Sequence, residues 1–176
     1  ENCYNNPEYT SKSDKLVSLT KEMNKKLKGS ITYKFGKQVV VLDKNTYSSW
    51  LKTKKDYSGY KVDKNAMENW LLKFMYKYNT QYGWHKFKTH DGRTKKIYGG
   101  PYGWRISKDK EMASVKKMLK EGTTETREPY WREKAKVYDG VNGDIGDTYV
   151  EVDMGAQTVY YYKKGKLKFA TACVTG

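Results

Sequence analysis

The chain has 176 residues, 35 Lys and Arg against 20 Asp and Glu, and a formal charge of +15, which fits one ordinary domain or one domain and part of a second. A membrane span and a disulfide scaffold are excluded, because no run of roughly 18 apolar residues occurs and Cys3 and Cys173 are the only cysteines. With 17 Tyr and 5 Trp, the sequence predicts a folded basic protein whose partner is anionic or carbohydrate-like.

The first sixty residues predict a helix and a hairpin. Residues 1–10 carry little pattern and are expected to be a lead-in. An apolar stripe at helical spacing follows, with Ser11 and Asp14 as a capping box and Gly29 as the stop. Residues 31–42 alternate around a Gly-Lys turn and predict a hairpin. Asn45 is expected to cap a short helix.

The middle of the chain predicts its longest helix, at about 63–79, with Asp63 as its cap and a broad apolar face. A second hairpin is predicted from Trp84 to Tyr98, turning at residues 90–92. Ser107 is expected to cap a third helix that ends at Gly122.

The last fifty residues predict an irregular stretch followed by short strands. Residues 123–147 are expected to be mostly irregular, with 135–146 as an interdomain connector. Three short β-rich segments with tight turns then predict an all-β meander over 147–176. The mixture of helices and hairpins without a βαβ rhythm indicates an α+β fold.

The positive charge favours a polyanionic partner without identifying it. Nucleic acid is one candidate, but the lysines are spread along the chain in twos and threes, as on a solvated face. An anionic wall polymer would respond to the same charge. We expect no nucleic-acid partner.

Two groups of motifs carry a family resemblance that covers about residues 15–176. The segment 144–153 (DIGDTYVEVD), with Gln157, the tyrosines at 160–162 and the terminal TACVTG, resembles the start of an L,D-transpeptidase catalytic domain of the YkuD type. The segment 99–104 (GGPYGW), with Glu111, Gly122 and the Pro-Tyr at 129–130, resembles the peptidoglycan-binding domain that often precedes it in Gram-positive bacteria.

The resemblance implies a domain order and a chemistry. Residues 11–134 would be the peptidoglycan-binding domain, and 147–176 would be the first strands of the catalytic domain. The family uses a cysteine nucleophile with a histidine base to form 3→3 cross-links in peptidoglycan. Its Ser/His-x-Gly-Cys motif is absent from the sequence, so we expect no catalytic residue in this chain and no activity from it alone.

The resemblance also implies partners and a location. We expect peptidoglycan and anionic wall polymers as partners, an extracellular place in the cell wall, and membrane anchoring of the parent protein outside this chain. No motif for a cofactor is present, and none is expected. A structural spacer that binds nothing and orients the catalytic domain is the alternative.

The glycine-rich turn at 99–104 is the strongest candidate for a ligand site. Its glycines and proline would present Tyr98, Tyr102, Trp104 and Arg105, whose rings could stack on sugars and whose guanidinium could pair with carboxylates. The same residues could instead pack the domain against the catalytic domain, and the sequence leaves both interpretations open.

The remaining reactive side chains predict structural roles. Cys173 lies at an apolar strand position and is expected to be buried in a core, with a Cys3–Cys173 disulfide as the alternative. His85 and His90 are expected on the surface of the second hairpin, without a metal. Asp144 and Asp147 flank a glycine turn and are assigned to the connector.

Overall fold

A computed structural model describes residue 10 and the ranges 12–140 and 142–175. The chain folds into two compact units: unit 1 comprises 1–34, 39–74 and 108–128, and unit 2 comprises 35–38, 75–107 and 129–176. Helices and small sheets are mixed along the chain, which confirms the predicted α+β class. The predicted lead-in lies outside the described residues apart from Thr10.

The helices are α1 (Asp14–Lys26), α2 (Lys44–Tyr47), α3 (Lys64–Tyr78) and α4 (Lys108–Glu121), with a 3-10 turn at Ser48–Trp50. The strands are β1 (Ser30–Phe35), β2 (Gln38–Leu42), β3 (Leu51–Thr53), β4 (Tyr60–Val62), β5 (Trp84–Lys88), β6 (Thr94–Tyr98), β7 (Arg105–Ile106), β8 (Thr124–Arg127), β9 (Trp131–Glu133), β10 (Tyr149–Asp153), β11 (Thr158–Lys163) and β12 (Lys166–Ala172). They form the sheets β2-β1-β8 and β10-β11-β12 and the pairs β3-β4, β5-β6 and β7-β9.

Of the helix caps predicted from the sequence, one is confirmed and one is wrong. Asp63 caps α3, as predicted: its carboxylate accepts a hydrogen bond from the backbone N–H of Ala66 at 3.0 Å. Asp43, and not Asn45, caps α2, because the Asp43 carboxylate accepts from the Asn45 N–H at 3.0 Å. The predicted cap of α1, Ser11, lies outside the described residues.

Unit 1 holds a core of apolar side chains from α1, α3, α4 and the first sheet. Buried Ile31 and Tyr33 alternate with less buried residues along β1, as a strand with one face on a core requires. β8 pairs in parallel with β1, from Ser30 opposite Thr124 to Tyr33 opposite Arg127. The sequence predicts 123–147 to be mostly irregular, which holds for the greater part of this segment, but it does not predict the strand β8.

A buried ion cluster joins β1, α4 and β8 within unit 1. The fully buried Glu111 accepts a hydrogen bond from the Tyr33 hydroxyl at 2.9 Å. Arg127 donates to both oxygens of Glu111, at 2.7 and 2.9 Å, and also to the Ser114 hydroxyl. Burial is the main cause that raises the pKa of Tyr33 above its usual value, so this hydroxyl remains a donor.

Unit 2 contains the second hairpin, the pair β7-β9 and the C-terminal meander. The aromatic side chains of Phe35, Tyr78, Trp104, Trp131 and Tyr138 pack edge-to-face and tilted in its core, with ring centroids 4.9–5.8 Å apart. The three strands of the meander are where the sequence predicts them. The assignment of 135–146 as an interdomain connector stays a prediction.

Across the described ranges, no helix combines the length and the apolar character that a membrane crossing needs.

Candidate functional site

The hairpin β5-β6 presents one exposed face that is both aromatic and basic. Along β5 the exposed residues Trp84, Lys86 and Lys88 alternate with the buried His85 and Phe87. The strand register places Trp84 opposite Tyr98 and Lys86 opposite Lys96 on that exposed side. We call the exposed residues of this surface the hairpin face: Trp84, Lys86, Lys88, Lys96 and Tyr98.

The hairpin face carries a largely exposed aromatic pair. Trp84 is 69% exposed and Tyr98 is 57% exposed, and their ring centroids lie 5.6 Å apart at 53°. Such rings offer broad apolar faces for the C–H side of a sugar, while the polar tips stay in water. Tyr98 is among the ligand residues predicted from the sequence and Trp84 is not, because the alternation along β5 does not show which face is covered.

Two lysines of the hairpin face lie close enough to repel each other. Lys86 lies directly opposite Lys96, and like charges at opposed strand positions destabilise a hairpin. Among the described residues, neither these two lysines nor Lys88 forms an ion pair with an acidic side chain. The face therefore keeps an uncompensated positive charge beside the aromatic pair, which suits a ligand with carboxylates.

Of the four ligand residues predicted in and beside the glycine-rich turn, three are exposed and one is buried. Tyr102 and Arg105 are exposed, like Tyr98. Trp104 is only 9% exposed, and its indole N–H donates to the carbonyl of Val137 at 2.6 Å. The Tyr102 hydroxyl donates to the Asp144 carbonyl at 3.0 Å. A ligand role for these four residues stays a prediction, and the observed contacts of Trp104 are with protein.

Backbone contacts after α3 hold the turn in place. Thr80 donates its N–H to the Trp104 carbonyl at 2.9 Å, and its hydroxyl accepts from the Trp104 N–H at 2.8 Å. Gly103 has a φ of +146°, and a Cβ at this position would lie 2.5 Å from the backbone nitrogen of Gln81. Only glycine fits here, so Gly103 is needed for packing whatever the ligand role of the turn.

Beneath the hairpin, a buried His85 faces a buried Asp144. The imidazole Nδ1 lies 3.9 Å from Asp144 Oδ2, which also accepts a hydrogen bond from the Thr80 hydroxyl. Burial raises the pKa of Asp144, while the Thr80 hydrogen bond and the charge of His85 act in the opposite direction. The expectation that His85 lies on the surface was wrong, because its position in β5 turns the side chain inward.

A cavity of about 470 Å³ lies within unit 2, along the edge of β5 that does not face β6. Its lining combines two lysines, two aspartates, aromatic rings and the buried histidine. The lining residues are Gln38, Lys77, Tyr78, Thr80, Trp84, His85, Lys86, Tyr138, Asp139, Gly143 and Asp144. Trp84 and Lys86 thus belong to both this cavity and the hairpin face.

The other reactive side chains make structural contacts. The His90 ring stacks on Tyr160 with a centroid distance of 3.8 Å, and its backbone N–H donates to the Glu151 carboxylate at 3.0 Å. Cys173 is free and half-buried, whereas Cys3 lies outside the described residues. No group of three or more His, Cys, Asp or Glu side chains that could hold a metal occurs in the described part of the chain.

Comparisons with known proteins give one family and two solved structures. Residues 9–127 match the family described as "Putative peptidoglycan binding domain". The chain is 27% identical to the Ldtfm–avibactam carbamoyl enzyme, with a TM-score of 0.66 over 89% of this chain and 60% of that one. It is also 27% identical to a mutant of the Enterococcus faecium L,D-transpeptidase, with a TM-score of 0.63 over 88% of this chain and 60% of that one.

The chain therefore spans about 60% of the length of both solved relatives. No curated protein matches it.

Proposed function

The chain belongs to the peptidoglycan-binding domain family that its residues 9–127 match, and from that premise we propose that it holds an L,D-transpeptidase against the cell wall. Both solved relatives are enzymes of the L,D-transpeptidase type or variants of one, which supports this pairing. The proposed location is the outer surface of a Gram-positive cell. The proposed reaction of the whole enzyme is the formation of 3→3 cross-links.

The observation that carries the proposal is the exposed Trp84–Tyr98 pair beside unpaired lysines on the hairpin face. Peptidoglycan combines sugar rings with peptide stems that carry carboxylates. Stacking on the two rings would hold the sugar, and Lys86 and Lys96 would attract the carboxylates. The same lysines would attract anionic wall polymers, as a second and less specific partner.

We further propose that Cys173 is not the nucleophile of the cross-linking reaction. A cysteine nucleophile needs a neighbouring base that lowers its pKa. In the part of the chain that the structure describes, no hydrogen bond or ion pair joins Cys173 to a histidine, and its backbone N–H donates to the Gln157 carbonyl at 2.9 Å. The thiol therefore has a packing role at the end of β12.

A spacer without ligand is the second candidate, and the internal contacts of Trp104 and Tyr102 favour it. Both side chains bond to backbone groups of the same unit, as residues that stiffen a support would. The combined variant Tyr102→Phe/Trp104→Phe separates the two functions. Lower stability with unchanged retention on sacculi would exclude a ligand role for this turn.

The proposed function is tested by co-sedimentation with purified sacculi at low salt. We expect the protein in the pellet, with and without removal of the anionic wall polymers, because the aromatic contacts do not depend on these polymers. Cytochrome c, a small basic protein, is the control for attraction by charge alone. Recovery of the protein wholly in the supernatant would overturn the proposal.

A further inference from the structure

The backbone of β5 has one edge that β6 does not use. In an antiparallel pair, alternate residues direct their N–H and C=O groups toward the partner strand and away from it. Gly83 bonds to Gly99 at one end of the hairpin and Thr89 bonds to Arg93 at the other, at 2.9 and 2.8 Å. The odd-numbered positions between them therefore bond to β6, and Trp84, Lys86 and Lys88 direct their backbone groups outward.

Part of this outward edge is already occupied. The N–H of Lys88 donates to the side-chain oxygen of Asn142 at 3.2 Å, and Asn142 is buried and bonded in turn to the Gly146 carbonyl. At Trp84 and Lys86, by contrast, neither the N–H nor the C=O has a hydrogen-bond partner among the described residues. Two donors and two acceptors thus remain open along one stretch of strand.

The open stretch forms a wall of the cavity of about 470 Å³. Three residues of extended chain span about 10 Å, so a short peptide could lie along it. The rest of the lining carries both signs of charge, with Lys77 and Lys86 as cations and Asp139 and Asp144 as anions. Trp84 connects this cavity to the aromatic pair on the hairpin face.

We propose that the cavity binds an extended peptide that adds a third strand to the free edge of β5, and that this peptide is the peptidoglycan stem. The identity of the peptide rests on the proposed function, whereas the strand addition rests on the geometry alone. Main-chain hydrogen bonds to Trp84 and Lys86 supply affinity that does not depend on the side-chain sequence of the peptide.

The charges of the cavity favour a stem over the glycan itself. A tetrapeptide stem carries free carboxylates and an amine, and these complement the two lysines and the two aspartates of the lining. The sugar to which the stem is attached would then lie at Trp84, where the cavity meets the hairpin face. One strand would hold both parts of the polymer, with the stem on its edge and the sugar on its exposed side.

Proline substitutions test the strand addition on the full chain. Lys86→Pro removes the outward N–H without breaking the β5-β6 ladder, and proline is tolerated on an edge strand. Thr94→Pro is the matched control, because Thr94 lies opposite Lys88, does not belong to the hairpin face and directs its N–H to the far edge of β6. Lys86→Ala removes the charge but keeps the N–H. Thermal unfolding verifies that all three variants are folded.

The probe is a synthetic tetrapeptide without sugar, in the order L-Ala, side-chain-linked D-Glu, L-Lys and D-Ala, titrated by calorimetry and by amide NMR. We expect Lys86→Pro to bind about tenfold more weakly than the wild type, and Thr94→Pro to bind within about twofold of it. The amide signals of Trp84 and Lys86 should shift on binding. Equal binding by both proline variants, or unshifted amides, would overturn the strand addition.

The outcomes separate this inference from the proposed function. Retention on sacculi without any binding of the free tetrapeptide would overturn the inference and leave the proposed function standing. Equal binding of an unrelated tetrapeptide of L-residues would overturn the assignment to the stem. Binding of the tetrapeptide without retention on sacculi would overturn the proposed function and keep the strand addition.

Discussion

Asp144 connects the end of α3, the hairpin and the glycine-rich turn through contacts at two of its oxygen atoms. Its Oδ2 accepts from Thr80 and faces His85, and its carbonyl accepts from Tyr102. Burial raises the pKa of this carboxyl in the folded state. The folded chain therefore holds the proton more tightly than the unfolded chain does, so this group favours folding below its unfolded pKa and loses that contribution as the pH rises.

Asp144→Asn removes this titration and keeps an oxygen to accept from Thr80. We expect the stability of the wild type relative to the variant to fall as the pH rises from about 4, the ordinary pKa of an aspartate, toward neutrality. Urea unfolding at several pH values in this range measures the difference in unfolding free energy between the wild type and the variant. Asp109→Asn, at an exposed position of α4, corrects for the change in net charge. A difference in stability that is constant with pH would contradict the account.

The exposure of single residues in the second hairpin could not be predicted from the sequence. Trp84 and His85 are neighbours, yet the first is exposed and the second is buried, because adjacent residues of a strand point to opposite faces. The sequence predicts the hairpin but does not state which face is covered. His85 was therefore expected on the surface, and Trp84 was not recognised as a ligand candidate.

At the scale of elements, the cluster of Tyr33, Glu111 and Arg127 holds β1, α4 and β8 together. Glu111→Gln would remove the fully buried carboxylate that Arg127 contacts and leave its guanidinium with the more exposed carboxylate of Glu125, 2.9 Å from Nε. We expect a loss of about 3 kcal/mol of unfolding free energy, measured by urea unfolding. Glu68→Gln is the matched control, since its ion pair with Lys108 is exposed to solvent. Equal losses in both variants would contradict a structural role for the buried cluster.

Elements with strong local signals were predicted well, and those without such signals were missed. The apolar stripe of α3 and the capping Asp63 lie within one stretch of sequence, so the helix could be predicted. β8 is Thr-Glu-Thr-Arg, with no apolar residue, and it forms a strand because it pairs with β1 about ninety residues earlier. Such non-local pairing leaves no periodic pattern in the sequence.

At the scale of the whole chain, the charge of +15 favours general attraction to polyanions, and the hairpin face is the specific contact that we propose. The α+β class and the family were predictable because the motifs at 99–104 and 144–153 are local. The cavity along β5 was not, since its lining comes from five separate stretches of sequence. Its residues converge only through the fold of unit 2.

We propose that the aromatic pair of the hairpin face is the contact that holds the protein on the wall. This contact is tested most directly by the sacculus-binding isotherm of the double variant Trp84→Ala/Tyr98→Ala beside that of the wild type. Tyr76→Ala is the control, because Tyr76 is 92% exposed and lies on α3, outside the hairpin face. The account predicts at least about tenfold weaker binding for the folded double variant and no change for the control. Superimposable isotherms for the wild type and the double variant would contradict it.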